Sequence, residues 1–263
     1  AMFFEPQSNE LISIYDIHHE VIGQIEHYGP ITQTDDSIIY AKIPTGTANR
    51  ITEMDYYRYV FSTKENIKLG TVEDWAYEAN YSNCLVNNHL YMLITTGNIY
   101  DDSGRMRELY TIDLNQDKMS KLFSVKGGYP YVAMEAVENK LLMTDFTVTG
   151  CDLEEYDTET GKKKTLMHFD YDNDTHEGAV IRQLATDQNT VSLLMLESTT
   201  NNEEVWLRLD TYDHDMNLLR SVDLSSIAPN DNELRQLVGR FFVFNEDVYY
   251  ENFSSTRFLG KIE

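Results

Sequence analysis

The stretch LYTIDLNQDKMSKL, residues 109–122, reads as one β-hairpin. A run rich in β-branched and aromatic residues ends at Asp113, a short polar turn follows, and a second run begins. Four other stretches align with it without gaps: ISIYDIHHEVIGQI (12–25), YRYVFSTKENIKLG (57–70), LEEYDTETGKKKTL (153–166) and LDTYDHDMNLLRSV (209–222). The fourth position holds Tyr15, Val60, Ile112, Tyr156 and Tyr212; the fifth holds Asp16, Phe61, Asp113, Asp157 and Asp213. Successive copies start 45, 52, 44 and 56 residues apart, and FLGKIE from Phe258 opens a sixth. Asp suits the end of a strand, because its carboxylate accepts hydrogen bonds from the backbone N–H groups of the turn. Gly161-Lys162 and Asn217 supply turn residues in two copies.

A looser hairpin precedes each of the later copies. Its turns are Asp35-Asp36, Asn87-Asn88, Glu138-Asn139, Asp187-Gln188-Asn189 and Asn245-Glu246, followed by SIIYAKI, HLYMLIT, LLMTDFT, VSLLMLE and VYYENF. The unit is therefore four strands in two hairpins. Four-stranded units recurring at about 40–50 residues are the signature of propeller blades. A β-sandwich has short strands and turns but no recurring register. Kelch repeats carry a Gly-Gly pair in each unit, and only Gly127-Gly128 occurs here; the Trp-Asp pair of WD40 repeats is absent. The expected fold is all-β: a single β-propeller domain over 1–263, with four complete repeats over about 30–226 and partial repeats at 2–29 and 227–263. The two partial ends favour six blades over five. TVEDWAYEAN (71–80) reads as a loop between blades.

The chain has 263 residues, 12% aromatic, with 44 acidic and 21 basic residues and a net charge of -23. Its aromatic content excludes wholesale disorder. The acidity excludes a generic nucleic-acid binder, since phosphate contacts need clustered Lys and Arg. No apolar run approaches the ~18 residues of a membrane helix. Cys84 and Cys151 make no disulfide framework and are expected as free thiols. Ala1 before Met2 reads as a remnant of expression, and no signal peptide is present. Abundant Tyr, Asn, Asp and Thr fit an exported β protein.

The pairing of an Asn-turn hairpin with an LYTIDL-type hairpin resembles the loosely conserved propellers of bacterial exported proteins, the TolB-type and related lipoprotein propellers of Gram-positive gut bacteria. The resemblance spans nearly the whole chain and carries no catalytic motif. It implies an extracytoplasmic binding or scaffolding role, with a lipid anchor to the cell surface outside this sequence.

In a propeller, the loops between blades gather on one face, where rigid sheets hold variable loops. HYGP, TVEDWAYEAN, VKGGYPY, DYDNDTHEGA and SSIAPNDNE would bring Trp75, Tyr77, Tyr129, Tyr131 and His176 together there. Aromatic rings beside Asp and Asn suit sugar or peptide surfaces; the plainer reading is that these rings cap blade ends. Asp170, Asp172 and Asp174 alternate as at the opening of a calcium loop, but Thr175 replaces the EF-hand Gly and Ile181 its bidentate Glu. A looser Ca²⁺ site competes there with a solvated acidic loop. No other cofactor is expected. Glu135 and Glu138, on or near an innermost strand, are the candidates for a paired-carboxylate glycosidase or lyase.

The expected function is a non-enzymatic binding or scaffolding module: a monomer presenting loops to a protein, peptide or glycan. The alternative is a propeller glycoside hydrolase or lyase with two carboxylates at the channel mouth.

Overall fold

The computed structural model describes residues 11–15, 21–26, 31–42, 53–74, 82–97, 104–126, 133–146, 149–172, 174–175, 177–186, 189–200, 205–224, 240–244, 247–252 and 255–261. Every element among them is a β-strand, all pairings are antiparallel, and the chain divides into two units, residues 1–130 and 131–263.

In the first unit, β1 (Leu11–Tyr15) pairs with β2 (Val21–Glu26) as a hairpin. Two four-stranded meanders follow. One runs β3 (Ile31–Gln33), β4 (Ser37–Lys42), β5 (Glu53–Val60) and β6 (Asn66–Glu73). The other runs β7 (Ser82–Val86), β8 (His89–Gly97), β9 (Arg105–Asp113) and β10 (Lys118–Lys126).

In the second unit, one meander runs β11 (Met134–Val137), β12 (Lys140–Phe146), β13 (Gly150–Asp157) and β14 (Lys163–Asp172). The next runs β15 (Glu177–Thr186), β16 (Thr190–Ser198), β17 (Val205–Asp213) and β18 (Leu218–Asp223). These two join into eight strands through only two residue pairs, Tyr171–Gly178 and Asp172–Glu177. β19 (Arg240–Phe244), β20 (Asp247–Asn252) and β21 (Ser255–Lys261) form a three-stranded sheet. The four complete four-stranded units fall where the repeat spacing placed them. No sheet among the described residues closes on itself.

Burial grades across each meander. The second strand is apolar on both faces: Ile38 to Ala41 of β4, Leu90 to Ile94 of β8 and Leu193 to Leu196 of β16 are buried. The fourth strand alternates and lies largely exposed, as in β10 and β14. The apolar second strands meet cover from the neighbouring meander of the same unit. Ile39, Met54 and Tyr56 pack with Leu90, Ile94 and Ile112 in the first unit; Leu142, Cys151 and Leu153 pack with Ile181, Leu193 and Met195 in the second. Cys84 and Cys151 are free thiols.

Among the described residues, side-chain hydrogen bonds cross between the sheets of the first unit. Thr32 Oγ1 donates to Asn83 Oδ1 at 3.2 Å. Arg58, 8% exposed, donates to Asp36 Oδ2 at 2.9 Å and Ser37 Oγ at 2.9 Å in its own sheet, and to Leu114 O and Asp117 Oδ1 in the next, each at 2.7 Å. In the second unit, Thr186 Oγ1 donates to Ala136 O at 3.0 Å.

The expected turn chemistry is present. Asp113 Oδ1 accepts from Asn115 N and Gln116 N, Asp157 Oδ1 from Glu159 N and Thr160 N, and Asp213 Oδ1 from Asp215 N and Asn217 N. Asn87 and Asn88 both take positive φ, 48° and 61°, as a tight two-residue hairpin turn requires.

Three corrections to the sequence reading follow. First, the gapless register is one residue off between the second and third copies. Val60 N bonds Glu65 O across its turn while Asp113 pairs with Lys118, so Val60, not Phe61, matches Asp113. Second, every such hairpin contains a register shift that leaves one residue of the later strand unpaired: Ile22, Leu69, Leu122, Leu166 and Leu219. A β-bulge of this kind bends the strand and increases its twist. Third, residues 71–73 and much of 170–179 are strand rather than loop. Asp172 closes a tight turn into β15, and Gly178, at φ +127°, lets the chain pass close to Asp170 O.

The buried polar groups of the first core make a paired prediction. Among the described residues the buried Tyr56 hydroxyl has no partner, so Tyr56→Phe is expected to raise unfolding stability by about 1 kcal/mol. Arg58→Met is expected to lower it by about 2 kcal/mol, moderated because Asp36 stays in water. Urea unfolding midpoints test both; a destabilising Tyr56→Phe would show that the phenol has a partner.

Candidate functional site

The aromatic set expected at the loop face, Trp75, Tyr77, Tyr129, Tyr131 and His176, lies outside the described residues. The three aspartates are described. Asp172 Oδ1 accepts from Asp174 N at 2.8 Å and Thr175 N at 3.2 Å, while the Asp170 side chain is fully exposed. Among the described residues no three His, Cys, Asp or Glu side chains are grouped to hold a metal ion. Asp170 instead reaches His168: its Oδ1 lies 3.4 Å from His168 Nε2, and His168 Nδ1 lies 2.5 Å from Asp152 Oδ1. The hydrogen bond to Asp152, outweighing partial desolvation, holds the His168 pKa above its ordinary 6.5. Glu135 sits on β11, paired with Leu142; Glu138 lies beyond the strand end, in the turn, at φ 54°.

The geometry that sequence reading missed lies on the third and fourth strands of the meanders. Glu108 is 6% exposed on β9. Its carboxylate accepts from the Tyr110 hydroxyl at 2.8 Å, Lys121 Nζ at 2.9 Å and Ser124 Oγ at 2.8 Å. Burial alone would push its pKa up, but these donors outweigh it and hold the carboxyl below the usual range. Burial, then the bond to Glu108, pushes the Tyr110 phenol well above its ordinary value.

Asp55 on β5 repeats the arrangement with Lys68 Nζ at 2.7 Å, Thr71 Oγ1 at 2.6 Å and the Tyr57 hydroxyl at 3.5 Å. The signal was present in the sequence. Asp55-x-Tyr57, then Lys68-x-x-Thr71, matches Glu108-x-Tyr110, then Lys121-x-x-Ser124. The one-residue misregister hid it. The second unit uses variants of the tie. Asp210 takes both oxygens to Arg208 Nε at 2.9 Å and accepts from Ser221 Oγ at 2.6 Å; Arg208 also binds Glu197. Glu154 is held by Lys163 at 2.8 and 2.9 Å.

Beside the Glu108 network, within the first unit, lies a cavity of about 470 Å³. It runs between the end of β6 and strands β8 to β10. Glu73, Asp74, Glu108, Tyr110, Met119 and Lys121 are among its lining residues. Two glycines shape it. A Cβ on Gly70 would come 2.9 Å from Met119 Cβ. Gly97, at φ +83°, donates its N–H to Asp74 O at 2.6 Å, and a Cβ there would lie 2.1 Å from Gly104 O. A side chain at either position would narrow the cavity or force its wall apart.

No model of a known protein family matches the chain, and no curated protein sequence does. Solved structures do. The β-propeller domain of the Trilobed protease from Pyrococcus furiosus, described as having an open velcro topology, superposes with a TM-score of 0.53 at 12% identity. That match covers 91% of this chain and 69% of that one. TolB from Acinetobacter baumannii gives 0.45 at 14% identity, covering 91% of this chain and 56% of that one. An acylaminoacyl peptidase from Pyrococcus horikoshii gives 0.44 at 9%, covering 70% and 32%. At 12% identity the likeness to the Trilobed protease domain concerns the fold alone, and it agrees with antiparallel four-stranded units of β-propeller type.

The Asp152–His168–Asp170 contact sets a pH dependence. A histidine whose pKa is higher folded than unfolded contributes stability that is complete below its unfolded value and is lost as pH rises through its folded value. The melting temperature of the wild type is therefore expected to exceed that of His168→Asn most below about pH 6.5, with the gap closing as pH rises above that value. Melts at a series of pH values measure it. A gap that is constant or widens with pH would exclude the charged contact.

Proposed function

We propose that this chain is a non-enzymatic binding or scaffolding module: an acidic, extracytoplasmic β-propeller that offers loops and sheet seams to a protein, peptide or glycan. In this reading the hairpin β1–β2 and the sheet β19–β21 belong to two incomplete blades, and the propeller has six blades in all. One observation carries the functional part. Five described carboxyls are held below the usual carboxylate range: Asp36, Asp55, Glu108, Asp157 and Asp213. Each is held as an anion by hydroxyl, backbone N–H or cationic donors. A glycosidase needs the opposite in one member of its pair, a carboxyl kept protonated near neutrality to act as general acid.

The carboxylates named for the alternative, Glu135 and Glu138, are not side by side on one strand face, since one is on β11 and the other in the following turn. The reading needs no calcium, because Asp172 is already engaged in closing its turn.

A thermal-shift screen with oligosaccharides and with peptides of each charge, paired with a turnover assay, tests the proposal. A ligand that binds only the folded state raises the melting temperature by mass action. The expected result is a shift with at least one ligand, retained in Glu135→Gln and Glu138→Gln, with no product formed. Product release that these substitutions abolish would replace the binding module with an enzyme.

A further inference from the structure

The cavity of the first unit has a sign. Its lining carries three carboxylates, Glu73, Asp74 and Glu108, and among its described lining residues one cation, Lys121. Lys121 is already engaged: its ammonium lies 2.9 Å from Glu108 Oε1 and 6.0 Å from the centroid of the Tyr110 ring. The Glu108 carboxylate is in turn satisfied by three donors. The negative charge left without a described partner is that of Glu73 and Asp74 at the end of β6. Both are exposed, as an incoming group requires.

The same lining shows which chemistry fits. The protein's own ammonium rests between a carboxylate and the face of a phenol ring, with Met119 also lining the cavity. Oxygen acceptors, an aromatic face and flexible thioether surface suit the two parts of a Lys or Arg side chain, its charged head and its methylene stem. The Tyr110 phenol reports the same potential. After burial and the Glu108 bond, the charge of Glu73 also helps to hold it above its ordinary value. The wall is preformed, because the Gly97 N–H to Asp74 O bond ties the end of β8 to the end of β6. About 470 Å³ is room for one or two such side chains.

We propose that this cavity is a binding site for a basic peptide segment, which inserts a Lys or Arg side chain between the Glu73–Asp74 rim and the Tyr110 ring. The proposal rests on the binding-module reading and gives it a partner chemistry. The whole-chain charge of -23 steers such a segment inward. The cavity supplies the place that a diffuse field lacks.

General acidity would attract any basic peptide, so the test compares variants of equal charge. The probe is a fluorescein-labelled peptide alternating Lys and Ser, followed by polarisation. The site variant is Glu73→Gln/Asp74→Asn. The control is Asp35→Asn/Glu65→Gln, two exposed acids of the same unit away from the cavity. The site variant is expected to weaken binding about tenfold and the control about twofold or less. Gly97→Ala, which drives a Cβ into Gly104 O, is expected to weaken binding while leaving net charge unchanged. Equal weakening by site and control variants would overturn the proposal in favour of non-specific attraction. Saturable binding of a Glu–Ser peptide or a glucosamine oligomer, without the Lys–Ser peptide, would overturn the peptide assignment and leave the binding module standing. Turnover of the probe would overturn the binding-module reading itself.

Discussion

A four-stranded antiparallel meander whose second strand is apolar on both faces needs cover. Leu90 to Ile94 of β8 cannot all turn to one side, because successive side chains of a strand point to opposite faces. One face is left bare unless another sheet lies over it. In the first unit that cover is β3–β6, through Ile39, Met54 and Tyr56; in the second unit, the two meanders cover each other through Leu153, Leu193 and Met195. Stacking is thus required by the composition of one strand, which is why the repeat is visible at all. Each copy must keep an apolar second strand and a more polar fourth, while its turns and outer faces can vary.

The interior charges obey a second constraint. A buried carboxylate must be met by donors or give up its charge. Asp55 and Glu108 are each met by a lysine and a hydroxyl three residues apart on the adjoining strand. Desolvation offsets most of the attraction in such pairs, so they contribute little net stability. What they discriminate is register. If β10 slid by one residue against β9, Lys121 and Ser124 would face the other side of the sheet and leave Glu108 buried and alone. The bulges at Leu69 and Leu122 fall beside these ties, at the points where Tyr57 pairs with Lys68 and Tyr110 with Lys121.

The hairpins were legible because their signals are local. Asp157 before Thr158 and Glu159 predicts a capped turn whatever surrounds it, and Asn87-Asn88 predicts a tight one. The one-residue error at the second copy has an equally local cause. Val60 stands where the other complete units have Asp, so nothing marked the turn, and the alignment slid to Phe61. The Glu108 tie was written in the sequence but hidden by that slip; the cavity was not legible, because its residues come from β6, β8, β9 and β10 and converge through pairing across a sheet and packing between sheets. The aromatic loop residues were placed by the repeat architecture, and they lie outside the described residues.

Charge distribution links the fold to its surface. Arg58 is balanced by Asp36 and Asp117, Lys121 by Glu108, Lys68 by Asp55 and Arg208 by Asp210 and Glu197. These four described basic residues are therefore already engaged with carboxylates, in a chain with 44 acidic and 21 basic residues. The field of such an excess of acids reaches about one Debye length and repels acidic partners while speeding the arrival of basic ones. A net charge sets the sign of a partner but not its place. Place requires a concavity where the acids are unmatched and the walls are fixed. In the first unit, the two glycines and the bond from Gly97 to Asp74 supply the fixed wall, and Glu73 and Asp74 supply the unmatched charge. The interior pairing that secures the register is thus also what leaves the cavity rim negative.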